Sequence, residues 1–154
     1  MTEQVSEKKW GKAVMNLGFT VIPSLLFRAQ RRLGLNPTQL AVLVQIADFW
    51  WDKERKPYPS KENLSLRLGI GPRQIQRHIA NLEKAGLVQR IERQAARKGK
   101  LSNAYDLSGL VEKLKNLEPE FREAAEKTKE IRRDVSKPGG LRRKRAKKQE
   151  SPKS

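Results

Sequence analysis

Two short segments with helical spacing of apolar residues meet at a glycine-containing turn, Gly69-Ile70-Gly71. The first segment, residues 61–68, ends where Gly69 can adopt the left-handed conformation that terminates helices. The second begins with Pro72, a favoured first helical residue, and Gly86 closes it. Its apolar residues recur at intervals of four and three, so they share one face; they are Ile75, Ile79 and Leu82. The sequence therefore predicts two helices joined by a tight turn, with the second held by its isoleucines.

Capping residues mark where the other predicted helices begin. Ser60 is placed to cap residues 61–68, and Ser24 to cap a helix that runs to Leu33. Asn36-Pro37-Thr38-Gln39 predicts a capping box, and the helix it starts is expected to continue through Trp51. Ser108 is expected to cap the last helix. Before all of these, the run 19–22 favours a short strand that Pro23 ends.

The segment after Gly86 is predicted to form a β-hairpin. Residues 87–93 alternate between the two faces of a strand, and residues 104–107 are suited to the return strand. Between them, residues 94–103 are polar and basic, with Gly99 near the middle. The expected fold is therefore mainly α with a small β-hairpin, an α+β arrangement of helices followed by a hairpin and a final helix.

Charge is the strongest compositional signal. The 154 residues contain 34 Lys and Arg against 17 Asp and Glu, which gives a net charge of +17. Residues 55–116 carry 14 basic and 5 acidic side chains, net +9, and residues 136–154 carry 8 and 1, net +7. A charge of this size on a small protein indicates a polyanionic partner, with nucleic acid the first candidate and an anionic membrane surface the second.

The composition also restricts the chemistry available to the chain. It has no cysteine, so disulfides, thiolate metal sites and cysteine nucleophiles are excluded. The single histidine, His78, is interpreted as a packing or phosphate-contacting residue, since no acid or nucleophile stands near it in sequence. No apolar run reaches transmembrane length. We therefore expect a cytoplasmic, nucleoid-associated protein that is not an enzyme and has no cofactor, metal or membrane partner.

The helix predicted from Pro72 exposes side chains that can read DNA bases. With Ile75 at the centre of the buried stripe, a turn of about 100° per residue places three basic residues nearly opposite it and two glutamines on the flanks. Arginine can pair with guanine through two hydrogen bonds, and glutamine with adenine. These residues are Arg73, Arg77 and Lys84, with Gln74 and Gln76 beside them.

Taken together, the segments 59–70, 73–87 and 103–105 resemble the winged helix-turn-helix of bacterial DNA-binding proteins. The likeness spans roughly residues 19–110 and is nearest to replication initiators and regulators of plasmids and phages. It implies a leading strand and two helices over residues 19–51, and a hairpin wing that lies on the DNA backbone or in the minor groove. Gly71 and Gln74 stand where that family often has a serine cap and a threonine, so base preference is not transferred. The DNA-contacting residues expected are Ser60, Lys61, Arg73, Gln74, Gln76, Arg77, Lys84, Arg93, Arg97, Lys98 and Lys100.

Four regions are expected along the chain. Residues 1–18 form an N-terminal extension, 19–116 the winged helix-turn-helix domain, 117–135 an amphipathic helix and 136–154 a disordered basic tail. The tail is expected to attach to DNA without sequence preference. Its basic residues are Arg142, Arg143, Lys144, Arg145, Lys147 and Lys148.

Apolar residues from 110 to 135 recur at alternating steps of four and three, as in a coiled-coil seam. Two interpretations stay open: a homodimer through residues 110–135, or a helix that packs against its own domain. Pro119 is expected to kink or split this helix near Glu118. The seam residues are Leu110, Leu114, Leu117, Phe121, Ala124, Thr128, Ile131 and Val135.

The aromatic run Phe49-Trp50-Trp51 also has two interpretations, a binding platform or core residues that cover the loop 57–59. For the whole chain, the function expected is sequence-specific binding of double-stranded DNA, in transcriptional regulation or in plasmid or phage replication and maintenance. The alternative is an RNA-binding or ribosome-associated basic protein. A nuclease is the weakest hypothesis because the carboxylates show no metal-ligand spacing.

Overall fold

The computed structural model describes residues 2–95 and 99–141, which divide into two compact units at Leu114. Six helices precede a hairpin in the first unit, and the last helix begins there. The helices are α1 (Thr2–Trp10), α2 (Lys12–Asn16), α3 (Ser24–Arg28), α4 (Pro37–Asp48), α5 (Lys61–Leu68), α6 (Pro72–Lys84) and α7 (Ser108–Ser136). The strands are β1 (Gln89–Ile91), β2 (Gln94–Ala95), β3 (Gly99–Lys100) and β4 (Ala104–Asp106). The predicted mainly α fold with a small hairpin is confirmed.

The predicted capping box starts α4. The Asn36 side chain accepts a hydrogen bond from the Gln39 backbone N–H at 2.7 Å, and the Asn36 N–H donates to Gln39 Oε1 at 3.0 Å. The helix ends at Asp48, however, and not at Trp51 as expected. Trp51 lies in the following loop with 86% of its surface exposed. Trp51 fits the apolar spacing of the helix by chance, because Trp50 and not Trp51 packs on the core.

The turn between α5 and α6 forms as predicted. The Ser60 hydroxyl caps α5 by accepting from the Asn63 N–H at 3.0 Å, and Gly69 ends it with φ of 68°. The Ser65 hydroxyl donates to the Ile70 carbonyl, which fixes the turn from the side of α5. Gly71 then precedes Pro72 at the start of α6. This local bonding sets the direction in which α6 leaves the turn.

The hairpin contains a second pair of strands that the sequence did not indicate. β1 pairs antiparallel with β4, with Arg90 opposite Tyr105. β2 pairs with β3, with Gln94 opposite Lys100. The predicted strand over 87–93 is thus shorter, and a second short pair continues the hairpin where a polar loop was expected.

One core joins the helices to the base of the hairpin. Its members are buried apolar residues from α3, α4, α5, α6, the hairpin and the start of α7. The start of α7 approaches the end of α6 so closely that a Cβ at Gly109 would lie 2.2 Å from the Gly86 carbonyl oxygen. The fully buried large side chains include Leu26, Leu43, Ile46, Leu64, Ile75, Ile79, Leu82, Leu87 and Tyr105.

Three expectations for the N-terminal part were wrong. Residues 19–22 form no strand, because no other described strand pairs with them. The helix predicted from Ser24 to Leu33 ends at Arg28, and hydrogen-bonded turns continue to Gly34, whose φ is 74°. Ser24 is the first residue of α3, with Pro23 at the cap position.

The last helix is continuous past its proline. Pro119 lies inside α7, so the predicted split near Glu118 does not occur. Proline has no backbone N–H, so it removes one hydrogen bond from the helix. The Pro119 side chain is exposed to solvent. Lys137 and Gly140 then donate backbone hydrogen bonds in the turns that follow the helix.

Candidate nucleic-acid interface

The side chains of α6 are divided between the core and the solvent. Its buried residues are Ile75, Ile79 and Leu82. The polar residues of its first turn and a half are all exposed, and they are Arg73, Gln74, Gln76 and Arg77. The isoleucines therefore fix the rotation of the helix about its axis, and that rotation turns the predicted base-reading side chains outward.

The two arginines at the start of α6 have no acidic partner in the described part of the chain. Within residues 2–95 and 99–141, neither Arg73 nor Arg77 makes an ion pair or a side-chain hydrogen bond. An arginine has five N–H donors and stays charged at any physiological pH. These guanidinium groups can consequently donate hydrogen bonds to a phosphate or to a guanine base.

Three other predicted contact residues have different positions. Lys84 is exposed but lies in the last turn of α6, roughly 16 Å along the axis from Arg73 at a rise of about 1.5 Å per residue. Ser60 is half-buried, and its hydroxyl oxygen already accepts from Asn63. Lys61 is half-buried beside the hairpin residues Leu101 and Ser102. Of the predicted contacts whose side chains are described, Arg73, Gln74, Gln76 and Arg77 share the first turns of α6.

Arg93, predicted to contact DNA from the wing, is engaged within the protein. Its guanidinium lies over the Tyr58 ring, 4.1 Å from the centroid, and its Nη1 donates to the Ser102 carbonyl at 3.3 Å. The Arg93 carbonyl in turn accepts from the Leu101 N–H. These contacts hold the wing against the loop before α5.

The remaining predicted contacts lie outside the described residues. Arg97 and Lys98 fall in the gap at 96–98, and for Lys100 only the backbone, in β3, is described. The six basic residues of the predicted tail, between 142 and 148, also lie outside the described ranges. Their contacts with DNA stay predictions.

Two structural arginines were missed by the sequence analysis. Arg90 at the base of the wing pairs with Glu83 on α6, with 2.6 Å between Nε and Oε2. Arg67 on α5 pairs with Asp48 at the end of α4 at 2.8 Å and lies 4.4 Å over the Phe49 ring. The only signal for the first pair was opposite charges on either side of the Gly86 turn. The first pair joins the wing to α6, and the second joins α4 to α5.

The Asp48 carboxylate accepts hydrogen bonds from two side chains. The Thr20 hydroxyl and the Arg67 guanidinium both donate to it, and these bonds lower the pKa of Asp48 below its ordinary 3.8. Thr20 belongs to the run that was predicted as a strand. The polar side chain of this run, and not strand pairing, attaches it to α4.

His78 is half-buried on α6, and its Nδ1 has no hydrogen-bond partner among the described residues.

No group of three or more histidine and acidic side chains within the described ranges is placed to hold a metal ion. None of the helices between residues 2 and 141 combines the length and apolarity needed to cross a bilayer.

Comparison with known proteins agrees with this geometry. Residues 33–88 match a family described as a helix-turn-helix domain, and this segment contains α4, α5 and α6. This match supports the helix-turn-helix part of the resemblance predicted from the sequence.

A solved structure shares the fold over most of the chain. It is the crystal structure of the N-terminal domain of the DnaD protein from Geobacillus kaustophilus HTA426, which matches with a TM-score of 0.51 and 20% identity. The match covers 82% of this chain and 96% of that one. No curated protein matches the sequence.

Proposed function

We propose that the protein binds a specific double-stranded DNA site by inserting α6 into the major groove. The observation that carries this proposal is that Arg73 and Arg77 are exposed and have no partner among the described residues, on a helix whose opposite face is buried in the core. In helix-turn-helix proteins, the N-terminal residues of the second helix contact base edges. Gln74 and Gln76 occupy the same turns.

The wing and the tail are proposed to strengthen binding through the phosphate backbone. Basic side chains that neutralise phosphates release counterions, so affinity falls with salt by a log–log slope of about −0.9 per contact. The net charge of +9 over residues 55–116 and of +7 over 136–154 supports such contacts. Base recognition would then come from α6, and most of the salt dependence from the wing and tail.

The protein is proposed to act by binding and not by catalysis. The process it serves is transcriptional regulation or the replication and maintenance of a plasmid or phage. A regulator requires an operator near a promoter, whereas a replication protein requires repeated sites at an origin. Footprinting across the host genome and its plasmids distinguishes these roles.

Dimerisation through α7 is a further part of the proposal. Ile131 and Val135 of the heptad seam are 50% and 56% exposed, so a second copy would bury them. Two copies would present two recognition helices to half-sites about 34–36 Å apart. Analytical ultracentrifugation of the full chain and of a chain that ends at Lys115 tests this, and an equal association state for the two would exclude the seam.

The DNA-binding proposal is tested by selecting bound sites from a random duplex pool. We expect the wild-type protein to enrich one motif, and Arg73→Ala and Arg77→Ala each to relax the preference at particular base positions. Arg133→Ala, at an exposed arginine on α7, is the matched control and should enrich the same motif as the wild type. Failure to enrich any motif, or equal competition by structured RNA, would contradict the proposal.

A further inference from the structure

A second surface carries exposed aromatic side chains that the duplex-binding proposal does not use. It is a cavity of about 240 Å³ between the end of α4 and the loop before α5. We call it the aromatic cavity. It is lined by Phe49, Trp51, Asp52, Arg55, Lys56 and Tyr58.

Trp51 presents a fixed ring to solvent at this cavity. The side chain is 86% exposed, yet its Nε1–H donates to the Asp48 carbonyl at 2.7 Å. The bond restricts the orientation of the indole while leaving its apolar surface uncovered. A large ring held in place in water is suited to stacking, since little rotamer entropy remains to be lost when a flat ligand binds.

Positive charge surrounds the aromatic rings. Arg55 and Lys56 line the cavity, Arg67 lies over Phe49, and Arg93 lies over Tyr58. Arg55 makes no side-chain ion pair with any described residue, whereas Lys56 lies 3.8 Å from Asp106.

The acidic groups nearby are already engaged. Asp48 is paired with Arg67, and the Asp52 carboxylate accepts from the Glu54 N–H at 3.1 Å. Of the residues that line the cavity, two are cations, Arg55 and Lys56, and one is a carboxylate, Asp52, so a ligand with negative charge next to a flat ring is favoured.

We infer that the aromatic cavity binds an unpaired base of a single-stranded nucleic acid, with the base stacked on Trp51 and the adjoining phosphates near Arg55 and Lys56. Proteins that hold single strands combine aromatic stacking platforms with a basic groove. The volume is below the roughly 300–1,000 Å³ of pockets for drug-sized ligands, and it suits a single ring system.

The position of the aromatic cavity favours nucleic acid over a peptide. Tyr58 belongs both to the cavity and to the stack with Arg93 at the base of the wing, so a strand in the cavity is next to the hairpin. A peptide that docks through proline or aromatic residues would gain nothing from the surrounding cations. The inference does not require duplex binding by α6.

The test compares two single strands with the same number of phosphates. One is an oligothymidylate of about ten nucleotides, within the roughly 4–16 that single-strand modules cover, and the other is the same strand without bases. Fluorescence anisotropy with the full chain measures both affinities. The abasic strand reports contacts by the backbone and the tail, so the ratio of the two affinities isolates stacking.

We expect the wild-type protein to bind oligothymidylate about 5–150-fold more tightly than the abasic strand, which corresponds to about 1–3 kcal/mol per stacked base. Trp51→Ala should remove this difference, and Trp51→Phe should keep most of it. Trp10→Ala, at another exposed tryptophan, is the matched control and should behave as wild type. Thermal unfolding followed by circular dichroism verifies that each variant is folded.

An equal affinity of the wild type for the two strands would overturn the inference, as would an unchanged ratio in Trp51→Ala. Displacement of oligothymidylate by a proline-rich peptide but not by a second single strand would also overturn it. A blunt duplex measured in parallel separates the two proposals, because Trp51→Ala should leave duplex affinity intact. Loss of duplex binding in Arg73→Ala with an unchanged strand ratio shows that the two sites are independent.

Discussion

The arginines at the start of α6 and the arginines around the wing have opposite surroundings. Arg73 and Arg77 extend into solvent without an acidic partner in the described part of the chain. Arg90 pairs with Glu83, and Arg93 lies over Tyr58 and donates to Ser102. Arginines in adjacent elements therefore differ in their surroundings: those at the start of α6 are exposed, and those of the wing contact other side chains or carbonyls.

This difference shows how the helix-turn-helix leaves the charged side chains at the start of α6 exposed. Arginines that hold elements together are each matched by an acid, a ring or a carbonyl, so they add rigidity and little free charge. The start of α6 lacks acidic residues altogether. Substitutions in the two groups should therefore separate binding from stability.

The largest effect is expected from the double substitution Arg73→Ala and Arg77→Ala. Each bidentate contact to a base contributes about 1–3 kcal/mol of discrimination, so affinity for the selected duplex should fall by about 5–150-fold per arginine. The free energy of unfolding should change by less than about 0.5 kcal/mol, because both side chains are exposed. Duplex titration and urea unfolding measure the two quantities. A loss of stability without a loss of affinity would show that these arginines stabilise the fold and do not bind DNA.

Arg90→Ala should show the converse pattern. Its pair with Glu83 is partly exposed, so solvent screening limits the loss to about 0.5–1 kcal/mol of unfolding free energy. Duplex affinity should change much less than in the α6 variants. A double-mutant cycle with Glu83→Ala isolates the pair energy by urea unfolding. A coupling energy of zero would show that the wing is held by its other contacts.

Local signals in the sequence predicted the helix-turn-helix well because caps and glycines act over a few residues. Asn36, Ser60 and Gly69 each determine a helix end through their own hydrogen bonds or backbone angle. The exposure of Arg73 and Arg77 also followed from the position of Ile75 on a regular helix. These parts of the candidate site required no knowledge of tertiary contacts.

Tertiary contacts account for what the sequence did not predict. The stacking of Arg93 depends on a tyrosine 35 positions earlier in the chain, and no local signal in the sequence indicates that contact. Residues 19–22 have strand-forming side chains, yet a strand needs a partner, and Thr20 instead donates to Asp48. The pairing of β2 with β3 is likewise a contact between segments that were predicted as a polar loop.

Arg93 gives a smaller test of the same comparison. A cation over an aromatic ring contributes about 0.5–1 kcal/mol at an exposed site, so Arg93→Ala should lower the unfolding free energy by that amount. Its effect on duplex affinity should be well below that of Arg73→Ala. Arg93→Lys keeps the charge but not the planar guanidinium and serves as the matched variant. A loss of duplex affinity as large as that of Arg73→Ala would place Arg93 among the DNA-contacting residues.

The smallest effect concerns Asp48, the carboxylate that Thr20 and Arg67 hold at the end of α4. Their hydrogen bonds lower the pKa of Asp48 in the folded protein from the ordinary 3.8. A lowered pKa gives stability that is fully present above the ordinary value and is lost as the pH falls through the folded value. Asp48→Asn should therefore be less stable than wild type near neutral pH, and the difference should shrink below about pH 4.

Urea unfolding from about pH 6 to about pH 2 measures this convergence. Glu62→Gln, at an exposed carboxylate on α5, is the matched control for removal of a carboxylate. If the Asp48→Asn and wild-type curves kept a constant separation down to about pH 2, the carboxylate would not be the group that the bonds of Thr20 and Arg67 stabilise. Convergence would place Arg67 with the arginines that hold the domain together, in contrast to Arg73 and Arg77.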